Sequence, residues 1–389
     1  MRSLAFRGLR LPRLGAMLSR GFSSSHPLLL TRSTAAWAQD LSGNLFAFGV
    51  DQQRITNAGL TITGAATRLH GEAPTNGTNQ SNTTSALAAE GLFNPLRIVS
   101  GGADWHRRAS LEFGITSSTP VYVRMRVRAG TSGRMRLICR NGTANSFSEI
   151  AGTLSSSSAT LSNAGALSSI VNRLLPNGDR EITFTWTPNA TVANGSIGIG
   201  PDSATSGQTI DIIGMQATSQ FSEWIMGGAG TLAQTADVAT LDLTGVSLAA
   251  GFMLRMDGTL LATPRLLFDQ FYLADTGTSA NSSQAYISQS SGNYLSEQRA
   301  VSVNQGAVTL GLAIAPPHVF SLVGAHGVDY VGGAFNGVVA TPDTVAAYTA
   351  PTRLMVGSET GSKPIYLTIT RITLFPEVPT TARVTAVAA

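Results

Sequence analysis

From about residue 45 onward, apolar and polar positions alternate in short runs bounded by Gly, Asn, Ser or Pro, and that period of two predicts strand after strand. The cleanest run spans residues 119–142. Val121, Val123, Met125 and Val127 point one way, and Tyr122, Arg124, Arg126 and Arg128 the other. The loop Ala129–Gly133 holds two glycines, and the returning run sets Met135, Leu137 and Cys139 against Arg134, Arg136 and Arg140. The expectation is a hairpin with one apolar face and one arginine face.

REITFTWTP turns Ile182, Phe184 and Trp186 inward, and GSIGIGP and QTIDIIGMQAT read as two more strands. Leu154–Ser169 is Ser/Ala-rich and reads as a long loop, and the Gly-rich stretch Gly227–Thr231 marks a domain boundary. Beyond it the alternation resumes, with turns about 8–15 residues apart. No segment longer than about ten residues keeps a helical period. The pattern therefore predicts an all-β chain: two antiparallel β-sandwich or jelly-roll domains in tandem, preceded by an extended basic arm. The expected boundaries are 1–40 for the arm, 41–226 for a jelly roll and 227–389 for a second sandwich.

Composition sharpens this picture. With 43% apolar residues, the 389-residue chain has enough for packed cores. Only 12% is charged, about half the usual share. Its surface is thus dominated by Ser, Thr, Asn, Gln and backbone, which suits polar, uncharged partners such as sugars. Lys363 is the only lysine, so nearly every cation is a planar guanidinium fork. Cys139 is the only cysteine, so there is no disulfide framework.

The positive charge is local. Arg2, Arg7, Arg10, Arg13, Arg20 and Arg32 stand in the first 39 residues without a single acid. The formal net charge is +4, so the remainder carries −2. An Arg-rich, acid-free leader fits a transit peptide. It is a poor secretory signal, because arginines break each apolar run. It also fits an anchoring arm, whose Leu4, Phe6, Leu9, Leu11, Leu14 and Leu18 bury on contact; this is the reading carried forward. Confinement of the charge to the leader, with no aromatic–basic interleaving beyond it, argues against nucleic acid as a partner despite a pI near 9.6. No stretch approaches the ~18 apolar residues of a spanning helix, so no membrane insertion is expected.

No HExxH, G-x-S-x-G, P-loop or dinucleotide fingerprint occurs, and His26, His70, His106, His318 and His326 are scattered singly. Glycosidases need two facing carboxylates, and the sequence singles out no pair. The expectation is that the chain is not an enzyme and has no catalytic residue, cofactor or metal site. Candidate glycan contacts are Trp105, His106 and Arg107, in a Gly-flanked turn where an indole can stack on a sugar ring or fold into the core. Tyr286 and Tyr294, flanking ISQSSGN on a predicted hairpin, are further candidates. Arg124, Arg126, Arg128, Arg134 and Arg136 form either a solvated sheet face or a docking face for an acidic partner or anionic glycan. The sequons at Asn76, Asn79, Asn82, Asn141, Asn189, Asn194 and Asn281 read as loop composition rather than glycosylation.

Two segments carry a family resemblance. Residues 31–69 hold Arg32-Ser33-Thr34-Ala35 followed by Gly59, Leu60, Ile62, Gly64, Ala65, Ala66 and Thr67. This resembles the opening of the first β-module of tailed-phage appendage proteins, with Arg68 where that family often has asparagine. The region to about residue 225 is similar to a carbohydrate-binding-module jelly roll. Residues 336–382, with Thr352, Leu354, Gly357, Ile369, Arg371, Ile372, Phe375 and Pro376, resemble the closing strands of concanavalin/laminin-G-like modules, whose last strand returns beside the first. The resemblance implies a structural fibre or spike subunit of a phage or gene-transfer-agent particle, located on the particle surface. Arg2, Arg7, Arg10, Arg13 and Arg20 would dock on other capsid, tail or fibre proteins. The sandwiches would be displayed to host polysaccharide, and the subunit would be a homo-oligomer, trimeric or pentameric. A free lectin-like protein and a capsular-polysaccharide hydrolase are the competing readings.

Overall fold

The structure, a computed structural model, describes residues 4–7, 28–63, 66–71, 75–76, 82–102, 109–141, 147–154, 161–163, 167–226, 231–262, 268–278, 280–288, 290–312, 314, 317–344, 347–357 and 365–389. The strands are β1 Leu4–Arg7, β2 Leu28–Thr31, β3 Ala36–Gln39, β4 Leu45–Phe48, β5 Ile55–Thr56, β6 Gly59–Ile62, β7 Ala66–Gly71, β8 Thr75–Asn76, β9 Thr83–Ala86 and β10 Leu96–Val99. They continue with β11 Ala109–Ile115, β12 Val121–Arg128, β13 Arg134–Arg140, β14 Phe147–Thr153, β15 Leu161–Asn163, β16 Leu167–Leu174, β17 Arg180–Trp186, β18 Val192–Pro201, β19 Thr209–Thr218 and β20 Leu232–Gln234. The last group is β21 Val238–Asp242, β22 Gly251–Ala262, β23 Phe268–Asp275, β24 Ser282–Ser288, β25 Tyr294–Ala300, β26 Val303–Gly311, β27 His318–Gly327, β28 Tyr330–Phe335, β29 Val338–Val339, β30 Arg353–Gly357 and β31 Tyr366–Phe375, followed by helix α1 Thr381–Ala388. The strands pair antiparallel throughout the two units described below, as the all-β expectation requires.

The chain divides into two compact units. Unit 1 comprises Met1–Ala38, Ala47–Ala65 and Thr235–Ala389; unit 2 comprises Gln39–Phe46 and Ala66–Gln234. The boundary expected at 226/227 therefore lies at 234/235. The larger correction is at the other end, where residues 28–38 and 47–65 are structural parts of the C-terminal unit rather than an arm and the start of a separate module.

Unit 1 is a sandwich of two sheets. One runs β29-β28-β27-β22-β31-β6-β5, with β1 also on β31; the other runs β2-β21-β30-β23-β24-β25-β26. Leu254, Met256, Leu322, Leu367 and Ile369 of the first sheet share a core with Phe271, Tyr272, Ile287, Leu354 and Val356 of the second. Burying each such side chain is worth about 1.5–3 kcal/mol, so alternation on both sheets drives the closure. The two segments that carry the family resemblance meet here, since β6 pairs with β31 through Ile62 opposite Leu367 and Leu60 opposite Ile369. Gly59 opens β6 at φ +116°, and a Cβ there would lie 2.3 Å from the Ile369 carbonyl oxygen, so only glycine fits.

A buried charge cluster holds the early segment in unit 1. Asp237 accepts from Arg32 Nη1 at 2.8 Å, from the Thr63 amide at 2.8 Å and from Arg54 Nη2. All three charged side chains are fully buried. Remaining Arg32 donors reach the carbonyls of Thr34 and Gly49, both at 2.7 Å. Two guanidiniums on one carboxylate would be costly in a dry interior without those carbonyls.

α1 was not foreseen, being only two turns long. Thr380 caps it, its side chain accepting from the Arg383 amide at 3.2 Å. Val384, Val387 and Ala388 cover Met253, Val323, Ala325 and Ala334, on the side of the first sheet away from the main core. Arg255 Nη1 donates to the Val387 carbonyl at 2.6 Å, satisfying one of the helix's last acceptors.

Unit 2 is a second sandwich. One sheet runs β16-β17-β12-β19-β10-β9, with β7 on β19 and β20 on β7; the other runs β15-β14-β13-β18-β11-β8. Trp186 is buried with Ile182 and Phe184, as expected. β15 and the start of β16 fall within the stretch expected to be a loop.

The hairpin expected over residues 119–142 is corrected. β12 pairs with β17 and β19, whereas β13 pairs with β14 and β18 in the opposite sheet. The connection is an arch. Gly130 (φ +57°) is pinned against Thr209, where a Cβ would meet the carbonyl oxygen at 2.3 Å. The Ser132 amide donates to the same carbonyl at 3.0 Å. Crossing over lets Val123 and Met125 face the same core as Met135, Leu137 and Cys139. A hairpin would leave both apolar rows on one side, needing a further layer to cover them.

Candidate functional site

The arch splits the predicted arginine face between two sheets, so Arg124, Arg126 and Arg128 do not share a surface with Arg134 and Arg136. The first three are held by carboxylates of the chain itself. Arg124 bridges Glu181 and Glu223, each at 2.8 Å, and donates to Gln39 Oε1 at 2.7 Å. Arg126 meets Asp179 at 2.7 Å and the Gly43 carbonyl at 2.7 Å. Arg128 joins Asp179 and Glu90, each at 2.8 Å. Arg124 and Arg126 also stand over the rings of Trp224 and Phe93. Burial pushes the Glu181 carboxyl up, but Arg124 and Arg173 outweigh it and hold the group below its ordinary range. This ladder is a satisfied structural network, and Arg124 and Arg126 are buried. On the other sheet, Arg134 is exposed and paired with Asp202 at 2.7 Å, while Arg136 is partly buried.

Trp105, His106 and Arg107 lie outside the described residues, as do Arg2, Arg10, Arg13 and Arg20. Arg7 falls in β1, whose backbone pairs with β31.

The two tyrosines fall on a hairpin, β24–β25, and on its opposite faces. The register sets Ile287 opposite Tyr294, so Tyr294 follows Ile287 into the core. Tyr294 is 1% exposed, stacks on Phe335 at 3.9 Å and bonds His318 Nε2 at 2.5 Å. It is a core residue, which corrects its candidacy as a sugar platform.

Tyr286 faces away from that core, and a polar grid surrounds it. On β23, β24 and β25, Gln270 stands opposite Tyr286, and Gln284 opposite Glu297. Tyr286 Oη donates to Glu297 Oε2 at 2.5 Å, and Arg299 Nε donates to Glu297 Oε1 at 2.6 Å. Gln270 Nε2 donates to Gln284 Oε1 at 2.9 Å. Gln270, Gln284 and Glu297 are buried, whereas the Arg299 side chain is 37% exposed and Tyr286 is partly exposed. Burial, reinforced by the bond to Glu297, pushes the Tyr286 hydroxyl up, so it remains a neutral donor at physiological pH.

The chemistry follows from what is already engaged. One carboxylate fixes both a phenol ring and a guanidinium, which removes rotamer freedom from each. Arg299 uses only Nε; among the described residues its two Nη groups make no hydrogen bond. Four donors in a planar fork remain for a carboxylate or a pair of hydroxyls. Beside them an oriented ring offers a face for C–H stacking. The residues that sequence reasoning missed are Glu297 and Arg299. Their signal was an acid and a base two apart in an otherwise uncharged strand, hence on one face. Among the described residues, no group of three or more His, Cys, Asp or Glu side chains is placed to hold a metal ion.

No protein-family model matches the sequence. No curated protein is detectably similar to it. Among solved structures, the chain is similar to Trypanosoma rangeli sialidase at 8% identity and a TM-score of 0.29, over 78% of this chain and 61% of the sialidase. The same sialidase with sialic acid bound matches at 9% identity and a TM-score of 0.27, over 78% of this chain and 61% of that one. Mouse laminin alpha1 domains LG4-5 match at 11% identity and a TM-score of 0.25, over 83% of this chain and 92% of that chain. This chain thus spans about six-tenths of the sialidase's length. These neighbours share an all-β character, and scores this low carry no argument about activity or ligand. The expectation that the chain is not an enzyme is not upheld: the structural neighbours include sialidases, at scores that decide nothing about activity.

Proposed function

We propose that the protein binds saccharide through unit 1, on the sheet face where Glu297 orients Tyr286 and Arg299. The observation that carries this reading is the pair of Arg299 Nη groups, unengaged among the described residues, beside an oriented, partly exposed ring. The chemistry favours a sugar bearing a carboxylate or vicinal hydroxyls, since a planar fork engages two oxygens at once. The sparsely charged surface read from composition supports the same partner class.

The resemblance carried by residues 31–69 and 336–382 supports a further reading, that these sandwiches are displayed on a phage-like particle facing host polysaccharide. Weak single sites would then gain from repeated copies.

The test is retention on immobilised polysaccharides, acidic and neutral, by wild type and by Arg299→Ala. Retention on an acidic polysaccharide that Arg299→Ala loses at unchanged melting temperature supports the site. Equal retention of both proteins removes it. The particle reading is tested separately, by co-sedimentation of the full chain with particles from its source.

A further inference from the structure

The second sheet of unit 1 ends in β26, nine residues long and, among the described residues, paired only with β25. It is the longest strand at a sheet edge among the described residues; the next, β16, has eight and carries Arg173. A sheet edge presents a row of unpaired N–H and C=O groups, normally guarded by charge, proline or a covering segment. β26 reads VNQGAVTLG, with no charge and no proline. Ala307 and Thr309 on its outer face are exposed. Its register with β25 is regular over Gly306–Thr309 and shifts only toward the strand's two ends.

A second observation points the same way. Of the fourteen large apolar side chains exposed among the described residues, four bracket this strand: Val301 and Val303 at one end, Leu312 and Ile314 at the other. Grease at both ends of an uncharged edge is self-complementary under a two-fold axis. An axis through Ala307 sets Ala307 opposite its own copy, Thr309 opposite Gln305 and Val303 opposite Gly311. Leu312 and Ile314 of one copy then fall at the same level along the paired strands as Val301 and Val303 of the other.

We propose that two copies of this chain associate by antiparallel pairing of their β26 edges, forming one sheet continuous across a two-fold axis. Backbone hydrogen bonds along the strand supply the register, and the apolar ends supply burial. A closed two-fold contact also consumes the edge, which otherwise invites open-ended pairing.

The test begins with the mass of the full chain by sedimentation equilibrium. The expected mass is twice 40.4 kDa. Ala307→Lys sets two cations face to face and should return the single-chain mass with an unchanged circular-dichroism spectrum. Ala307→Glu should do likewise, and mixing the two should restore the double mass. A cysteine pair reads the register. Ala307→Cys should cross-link rapidly on mild oxidation, because its Cβ atoms would lie about 5 Å apart, near disulfide reach. Thr309→Cys, opposite Gln305, should cross-link at least about tenfold more slowly. The native Cys139 is buried and does not compete. A wild-type mass of one or three chains, an Ala307→Lys protein that keeps the double mass, or equal cross-linking of both cysteine variants would overturn the proposal.

Discussion

Tyr272 Oη and His326 Nε2 lie 2.7 Å apart, one on each sheet of unit 1, and both residues are fully buried. Ser296 Oγ approaches the same nitrogen at 3.4 Å, and the Phe252 ring lies 5.3 Å from the imidazole. Burial pulls the His326 pKa down to about 3 from 6.5, so the ring is neutral in the folded chain at ordinary pH.

That neutrality sets an acid limb. Between about 3 and 6.5 the unfolded chain binds a proton at this site that the folded chain refuses. Stability is therefore complete above 6.5 and falls as pH drops through that window, by up to about 1.4 kcal/mol per pH unit. Urea unfolding across the window should show this slope reduced by one proton in Tyr272→Phe/His326→Phe. Identical slopes in both proteins would contradict the assignment.

The β25–β26 turn is strained. Val301 and Ser302 have φ +50° and +63°, and Val301 is β-branched and 79% exposed. A two-residue turn with both φ positive suits Asn-Gly. Val301→Asn/Ser302→Gly should raise stability by about 1 kcal/mol, read as a higher urea midpoint at constant m-value. No gain would mean that the turn is not limiting.

Asp237 should be among the most costly side chains to remove. Asp237→Ala leaves Arg32 and Arg54 buried without their carboxylate, and about 3–5 kcal/mol of stability should be lost. Arg134→Ala, which breaks the exposed pair with Asp202, should cost less than about 1 kcal/mol. Equal losses in equilibrium unfolding would refute the buried cluster as the anchor of residues 28–65.

Much of the architecture was legible from alternation alone. β12, β17, β19 and β31 lie where their patterns place them, and Trp186 is in the core. Partner choice was not legible, because an arch and a hairpin share one period. Only the competition for neighbours, with β17 and β19 flanking β12, separates them. β23 hides a second lesson. A register shift between Gln270 and Tyr272 puts consecutive residues Phe271 and Tyr272 into one core, which no strict alternation predicts. The candidate site was half visible. Tyr286 and Tyr294 were found together, but their faces depend on the hairpin register, which a single sequence does not specify. Glu297 and Arg299 were missed, because an acid and a base two apart mark a shared face without saying which neighbour they meet.

The central claim is that Glu297 holds Tyr286 and Arg299 as a saccharide-binding pair. The most direct measurement is calorimetric titration of one acidic oligosaccharide, chosen by retention, into wild type, Arg299→Ala and Glu297→Gln at matched melting temperature. The account predicts binding by wild type and at least about tenfold weaker binding, about 1.4 kcal/mol, by each variant. Three matching isotherms would contradict it.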